Sequence, residues 1–425
     1  MKYMEEKFII KGGIPLEGEV EIRGAKNATF PILAASLLTK EDCIIDNIPL
    51  IEDVFKMIKI LEGMGSEITW LGKRKIKINN SKVKPSKMPV DLVGCFRGSI
   101  LLLGGLLGSF NKIEMPAPGG CLIGSRPIDT HLDAFKQAGV RISLQGKFYT
   151  FNKKDYQSCE IILKEISVTA TENILLFAAA SPKKTIIKIA DQDYQVQDLI
   201  EVLKKMGADI KQTGVRCIEI NGKKKLKGFK HSIISDPIEA GTFIVATLAT
   251  KGNVLIKKAE LRFLDLFLKR LKDFGARFKI IDSTTIKVLP SGRLNIDKIQ
   301  SLPYPSIHSD LQPELGVLAT QSKGATLIHD PLFEGRLKYL NELNKMGADI
   351  IFCDPHRAIV YGPTQLNGIE IPSSDLRAGA ALIIAGLMAK GTTVINNIYQ
   401  VDRGYEKIEE RLQALGADIK RRIKK

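Results

Sequence analysis

Aromatic residues are scarce, at 6% of 425 residues. Proteins that bind single-stranded nucleic acid need aromatic stacking platforms, so this scarcity argues against a nucleic-acid partner despite a net charge of +16. Long apolar runs are also missing. The stretches 99–107 and 378–389 are broken by glycine or too short to cross a bilayer, and membrane insertion is not expected. The N-terminal Met-Lys-Tyr-Met-Glu-Glu-Lys-Phe carries charges where a signal peptide needs an apolar core, so a cytoplasmic location is expected. Six cysteines (Cys43, Cys95, Cys121, Cys159, Cys217, Cys353) form no Cys-x-x-Cys pair and no cluster with histidine. That spacing suggests neither a zinc site nor a disulfide framework, and reduced thiols are expected. The basic balance fits polyanionic small substrates or an acidic surface, while runs such as 223–225 and 420–425 read as solvated faces and tails.

The chain does contain a repeat. A phrase of apolar residue, glycine, small residue, charged residue and apolar residue recurs at Gly65, Gly139, Gly207, Gly275, Gly347 and Gly416. The copies lie about 70 residues apart, far longer than the units of a solenoid. Apolar residues at helical spacing precede each glycine, as in Leu199, Val202, Leu203 and Met206, and an alternating segment follows it. The glycine is predicted to end a helix at C′ and to open a strand. Upstream, each copy has a β-rich run, such as Cys43-Ile44-Ile45 or Thr392-Thr393-Val394-Ile395. The segments 28–38 and 240–250 are nearly all small or apolar, the mark of helices buried on every side. Six α/β modules at this length predict two similar α/β domains of three modules each, with interior helices sheathed by sheets. A ligand is expected in a cleft between the domains.

Candidate chemistry gathers in 117–131, Ala-Pro-Gly-Gly-Cys-Leu-Ile-Gly-Ser-Arg-Pro-Ile-Asp-Thr-His. Its glycines and prolines predict a loop. The permanent charge of Arg126 would favour a Cys121 thiolate if the loop folds back. On spacing alone, a catalytic and an unreactive thiol both stay open. Other charged residues fall at module junctions. Lys26 and Asn27 open a buried helix where free N–H groups face an anion, and Arg97 stands in an otherwise uncharged run. Ser167-Val168-Thr169 precedes another apolar helix, and Asp310 follows the turn 303–306. Arg336, Arg377 and Arg403 each punctuate apolar elements. Singly, each reads as a surface ion pair. Converging, they would suit a substrate with phosphate and carboxylate groups, because the guanidinium fork binds either one bidentately.

With these residues assembled, the chain resembles the enolpyruvyl transferase family (EPSP synthase-like), and within it the UDP-N-acetylglucosamine 1-carboxyvinyltransferases. The resemblance spans essentially the whole chain. It is specific at Gly24-Ala25-Lys26-Asn27-Ala28, at the Cys121 loop through Arg126-Pro127, and at Ser309-Asp310-Leu311-Gln312. It recurs at Phe333-Glu334-Gly335-Arg336, Asp375-Leu376-Arg377-Ala378 and Asp402-Arg403-Gly404-Tyr405-Glu406. The implied fold is a two-domain inside-out α/β barrel of six βαβαββ-type repeats, three per domain. The implied domains are 26–234, with the Cys121 loop, and 1–25 joined to 235–425, because the N-terminal strand belongs to the second domain.

The implied reaction adds the 3-hydroxyl of UDP-N-acetylglucosamine to C2 of phosphoenolpyruvate, protonates C3, and loses phosphate from a tetrahedral intermediate. This is the first committed step of peptidoglycan precursor synthesis. By the resemblance, Cys121 is the loop thiol that adds to phosphoenolpyruvate and acts in proton transfer or product release, and Asp310 is the base near the sugar hydroxyl. Lys26, Arg126 and Arg403 hold phosphate, Arg336 and Arg377 lie at the carboxylate side, and Arg97 supports the anion site. Asn27 contacts the sugar, Ser167 and Val168 line the diphosphate, and Leu332 and Asp375 complete the substrate contacts. No metal or organic cofactor is implied, and no oligomeric state follows.

The chain departs from the family pattern at Gln192-Asp193-Tyr194-Gln195, where an acidic side chain has become the amide of Gln195. Thr169 replaces a glycine and would crowd the phosphates, His308 replaces a proline beside Asp310, and Pro237 replaces an arginine after Asp236. These changes lie around the nucleotide sugar more than around phosphoenolpyruvate. A paralogous enolpyruvyl transferase acting on another hydroxylated acceptor is therefore the competing reading. The shikimate-pathway relative lacks the cysteine loop with its Gly119-Gly120 pair.

Overall fold

Among the described residues, six helices have almost no polar side. They are α1 (Lys26–Ala35), α2 (Leu102–Ser109), α3 (Val168–Ala179), α4 (Pro237–Ala249), α5 (Gln312–Ala319) and α6 (Leu376–Met388). Small and apolar residues let each be covered all round, and in α6 every residue from Leu376 to Leu387 is buried. The computed structural model describes residues 6–119, 127–153 and 156–423.

Contacts divide the described chain into two units, with breaks after Arg23 and after Ile234. In the unit beginning at Gly24, α1, α2 and α3 all pack on one another. Glycine permits the approach: a Cβ at Gly105 would stand 2.5 Å from the Ala34 carbonyl, and one at Gly104 would strike the Asn173 backbone. In the other unit, α4, α5 and α6 form a second mutually packed trio.

A second set of helices is two-faced. Glu52–Met64 buries Val54, Met57, Ile58, Leu61 and Met64, and Tyr194–Met206 buries Leu199, Val202, Leu203 and Met206. All six repeat glycines take positive φ, from 79° at Gly139 to 109° at Gly207, the left-handed turn that ends these helices. An antiparallel hairpin follows in five copies, as in Glu67–Gly72 with Lys75–Asn79. In the last copy, Asp418–Ile423 pairs instead with the N-terminal strand Glu6–Lys11.

The described strands form five four-stranded sheets and one three-stranded sheet. In each four-stranded sheet, one inner strand is parallel to an edge strand and antiparallel to its other neighbour, as Asn253–Lys257 is to Glu17–Glu21 and Thr285–Leu289. The alternating burial of Thr285–Leu289 turns Ile286 and Val288 inward. Of the loop predicted over 117–131, Asp129, Thr130 and His131 form instead the first turn of the helix Asp129–Gln137, while 120–126 lie outside the described residues. Asp129 favours that turn by placing a negative charge at the helix N-terminus.

Candidate active site

In the unit beginning at Gly24, Lys26 is the first residue of α1, and its Nζ lies 2.9 Å from Oδ2 of buried Asp53. Lys56 approaches the other oxygen of Asp53 at 3.8 Å. Asn27 follows, half-buried, as the one residue of α1 not fully covered. Arg97 opens the 3-10 turn Arg97–Leu101 and donates from Nη2 to the Pro127 carbonyl at 2.8 Å. Ser167 caps α3, its Oγ accepting from the Ala170 N–H at 3.4 Å, and Val168 and Thr169 are the next residues, half-buried. Cys121 and Arg126 lie outside the described residues.

Thr169 was expected to crowd an anion. Its hydroxyl is instead tied to His131, with Nε2 and Oγ1 3.1 Å apart. The amide of Asn173 approaches Nδ1 of His131 at 2.9 Å and also accepts from the Gly104 N–H at 2.8 Å. Burial, with the charge of Arg97 nearby, pushes the His131 imidazole down to about 3, so it is neutral. A neutral ring that accepts at Nδ1 donates from Nε2–H, so Thr169 receives that bond.

The other unit gathers two of the expected residues, Arg336 and Arg377, on the carboxylate of a third, Asp310. Arg336 donates from Nη2 to Oδ1 of Asp310 at 2.8 Å, and Nε of Arg377 lies 3.0 Å from Oδ2. Nε of Arg336 also donates to Ser309 Oγ at 3.0 Å, and Ser309 donates to Asp330 at 2.6 Å. Asp330 in turn accepts from the N–H of Leu332, an exposed side chain beside this cluster. Burial pushes the Asp310 carboxyl up, but Arg377 and Arg336 outweigh it and hold the group well below the usual carboxylate range. His308 enters through Nδ1, which accepts from the Asp310 N–H at 3.0 Å and so orients the turn.

Asp375 caps α6, accepting from the N–H groups of Arg377 and Ala378 at 3.0 and 3.1 Å, and this fixes the root of the Arg377 side chain. Arg403 is buried just after the short helix Tyr399–Asp402, and its Nη1 donates to Gln400 at 3.0 Å. Pro237, where an arginine was expected, stands in the first turn of α4, where a fixed φ and a missing N–H cost nothing. Gln195 is buried in the helix Tyr194–Met206.

The sequence analysis missed Glu172 and Glu314, each a lone carboxylate in a helix otherwise small, apolar or uncharged. That isolation was the available signal. Burial, with Asp191 and Asp193 as like charges, pushes Glu172 well above the usual range. Burial pushes Glu314 up to about 7.

This arrangement pairs one half-buried carboxylate with two buried guanidinium forks, and so can receive a substrate carboxylate or phosphate in its place. The sequence pattern of EPSP synthase (3-phosphoshikimate 1-carboxyvinyltransferase) matches residues 10–412. The chain belongs to that family. Among its relatives, the UDP-N-acetylglucosamine 1-carboxyvinyltransferase of Coxiella burnetii is 41% identical over 417 residues, covering 98% of this chain and 96% of the relative. The enzyme of the same name from Finegoldia magna is 40% identical, covering 98% of this chain and 99% of its own. The enolpyruvyl transferase NikO from Streptomyces tendae superposes with a TM-score of 0.90 at 25% identity, covering 99% of this chain and all of that one. EPSP synthase from Acinetobacter baumannii shares the fold, with a TM-score of 0.78 at 18% identity over 98% of this chain and all of that one. An α/β fold of the enolpyruvyl transferase kind is thus established for this member of the family.

Proposed function

We propose that this EPSP synthase family member transfers the enolpyruvyl group of phosphoenolpyruvate to the 3-hydroxyl of UDP-N-acetylglucosamine, releasing phosphate. It would act in the cytoplasm, at the first committed step of peptidoglycan precursor synthesis. Full-length relatives that carry this activity in their names support the reading. The observation that carries it is the half-buried Asp310 held between Arg336 and Arg377. On this reading each unit is an inside-out barrel of three βαβαββ-type repeats around its helix trio, and the two units are the two enolpyruvyl transferase domains.

In this scheme the substrate carboxylate takes over Arg336 and Arg377. Asp310, relieved of two cations, then becomes basic enough to accept the proton of the sugar hydroxyl. The sugar oxygen bonds to C2 of phosphoenolpyruvate, and C3 takes a proton, for which the Cys121 thiol is the assigned donor. The C2–O bond to phosphate then breaks, C3 returns a proton, and the enol ether remains. Lys26, Arg126 and Arg403 are assigned to the phosphate, and Arg97 to the support of that anion. Asn27 is assigned to the sugar, and Ser167 and Val168 to the diphosphate, where free N–H groups at the start of α3 suit an anion. Asp375 acts through the cap that orients Arg377, and Leu332 lines the substrate. A fixed cationic frame stabilises charge as it develops without reorganising.

The test is phosphate release from phosphoenolpyruvate with and without UDP-N-acetylglucosamine. Release that depends on the sugar is expected. Turnover with a different hydroxylated acceptor and none with this sugar would favour the paralogous reading, which Thr169, Gln195, Pro237 and His308 motivate.

A further inference from the structure

Glu314 lies on α5, four residues beyond Asp310 and with no role assigned above, and its side chain is fully buried. Donors converge on one of its oxygens. Arg377 donates from Nη1 to the Tyr405 hydroxyl at 3.1 Å, and that hydroxyl lies 2.8 Å from the Thr242 hydroxyl. Thr242 donates to Oε1 of Glu314 at 3.1 Å, in competition with the Ile238 carbonyl at 3.0 Å. Tyr405 also reaches Oε1 directly at 3.4 Å. The second oxygen, Oε2, is buried with no hydrogen-bond partner among the described residues. An ionised carboxylate with a bare buried oxygen is costly, whereas a carboxyl carrying its proton there is far less so.

The same guanidinium that begins this chain ends at Asp310, its Nε lying 3.0 Å from Oδ2. The groups facing Glu314 are Arg377 from α6, Asp310 from the turn Ser309–Leu311, and Tyr405 after the Tyr399–Asp402 helix. Tyr339, which accepts from the Gln312 amide at 2.8 Å, faces it from the neighbouring helix Tyr339–Lys345. Helix α4 contributes Thr242, while its Glu239 is paired with Arg411.

We infer that Glu314 is a positioning residue: with its proton on, it terminates the Arg377–Tyr405–Thr242 chain and leaves the charge of Arg377 to the carboxylate it holds. On ionisation, the proton passes to solvent, and a second anion, this one fully buried, draws on Arg377 and weakens capture of a carboxylate substrate. This rests on the proposed reading, in which that substrate is phosphoenolpyruvate. Burial places the titration near neutral pH, since it pushes Glu314 up to about 7.

The experiment measures kcat/KM for phosphoenolpyruvate against pH for the intact chain, Glu314→Gln and Tyr405→Phe. The wild type is expected to lose about tenfold on the alkaline side, and Glu314→Gln to abolish that fall, because an amide cannot ionise. Tyr405→Phe is expected to raise KM about tenfold with kcat little changed, since it cuts the chain while keeping the ring. An unaltered pH profile in Glu314→Gln, or an unaltered KM in Tyr405→Phe, overturns the inference. A 13C carboxyl titration without substrate, assigned by difference with Glu314→Gln, reads the proton on Glu314 even if no enolpyruvyl transfer occurs. A midpoint in the ordinary glutamate range would overturn the inference, and absent turnover would overturn only the proposed reaction.

Discussion

Asp310 carries its charge between Arg336 and Arg377, and Glu314 keeps its proton one helical turn further on. These two carboxyls respond to pH with opposite sign. The folded chain depresses Asp310, so its ion pairs contribute stability that is complete above the unfolded value of about 3.9 and lost as pH falls through the folded value. Asp310→Asn is expected to be less stable than wild type near neutral pH, with the gap closing as pH falls from about 4. Urea unfolding at a series of pH values measures that gap. Glu314 is raised, so its contribution is complete below about 4.3 and declines as pH rises to about 7 and beyond. Glu314→Gln should flatten the urea midpoint across that interval. For function, Asp310→Ala is expected to abolish turnover while calorimetry still detects binding of the nucleotide sugar. Retained turnover would assign the base elsewhere.

Helices and turns separate what local rules can reveal from what packing decides. The glycine at each helix end was legible, because an apolar helical period followed by Gly and an alternating segment has few other meanings. Gly207, at φ 109°, is a position where Gly207→Ala should cost about 1 kcal/mol from backbone strain. Gly105→Ala should cost about 1–3 kcal/mol for another reason, since its Cβ would stand 2.5 Å from the Ala34 carbonyl of a different helix. Denaturant midpoints of the two variants check both figures. Nothing in the residues around Gly105 announces Ala34, which is distant in sequence. The Thr169–His131 bond was hidden for the same reason: the sequence shows that Thr169 has a side chain where a glycine was expected, and only α3 and the helix Asp129–Gln137 together show where it goes. Glu314 left a trace, a single carboxylate in an apolar helix, but its partners Thr242 and Tyr405 come from other elements.

At the scale of the molecule, the first and last described strands pair in one sheet. Glu6–Lys11 pairs with both Thr392–Asn396 and Asp418–Ile423, and it buries Phe8 and Ile10 completely. Arg421 adds ion pairs to Glu6, Asp402 and Glu409 while stacking over Phe8. Deleting residues 1–11 should therefore destabilise the unit that contains the C-terminus, by about 1.5–3 kcal/mol for each lost core side chain, as calorimetric melting would show. The net charge of +16 acts at the same scale. If the substrates are the anions proposed, kcat/KM should fall with rising ionic strength while kcat changes little, because screening removes steering and leaves the chemistry.

The sixfold periodicity, the all-round burial of the interior helices, the helix-ending glycines and the family are all readable from the residues alone. Each of these is written in residues close together in the chain, where helical period, strand alternation and left-handed φ act locally. Tertiary structure alone decided that Arg336 and Arg377 share one carboxylate, that Thr169 is held by His131, and that Glu314 closes a chain beginning at Arg377. Those facts depend on distances between elements far apart in sequence, and on the low dielectric of a core that exists only once the elements have packed.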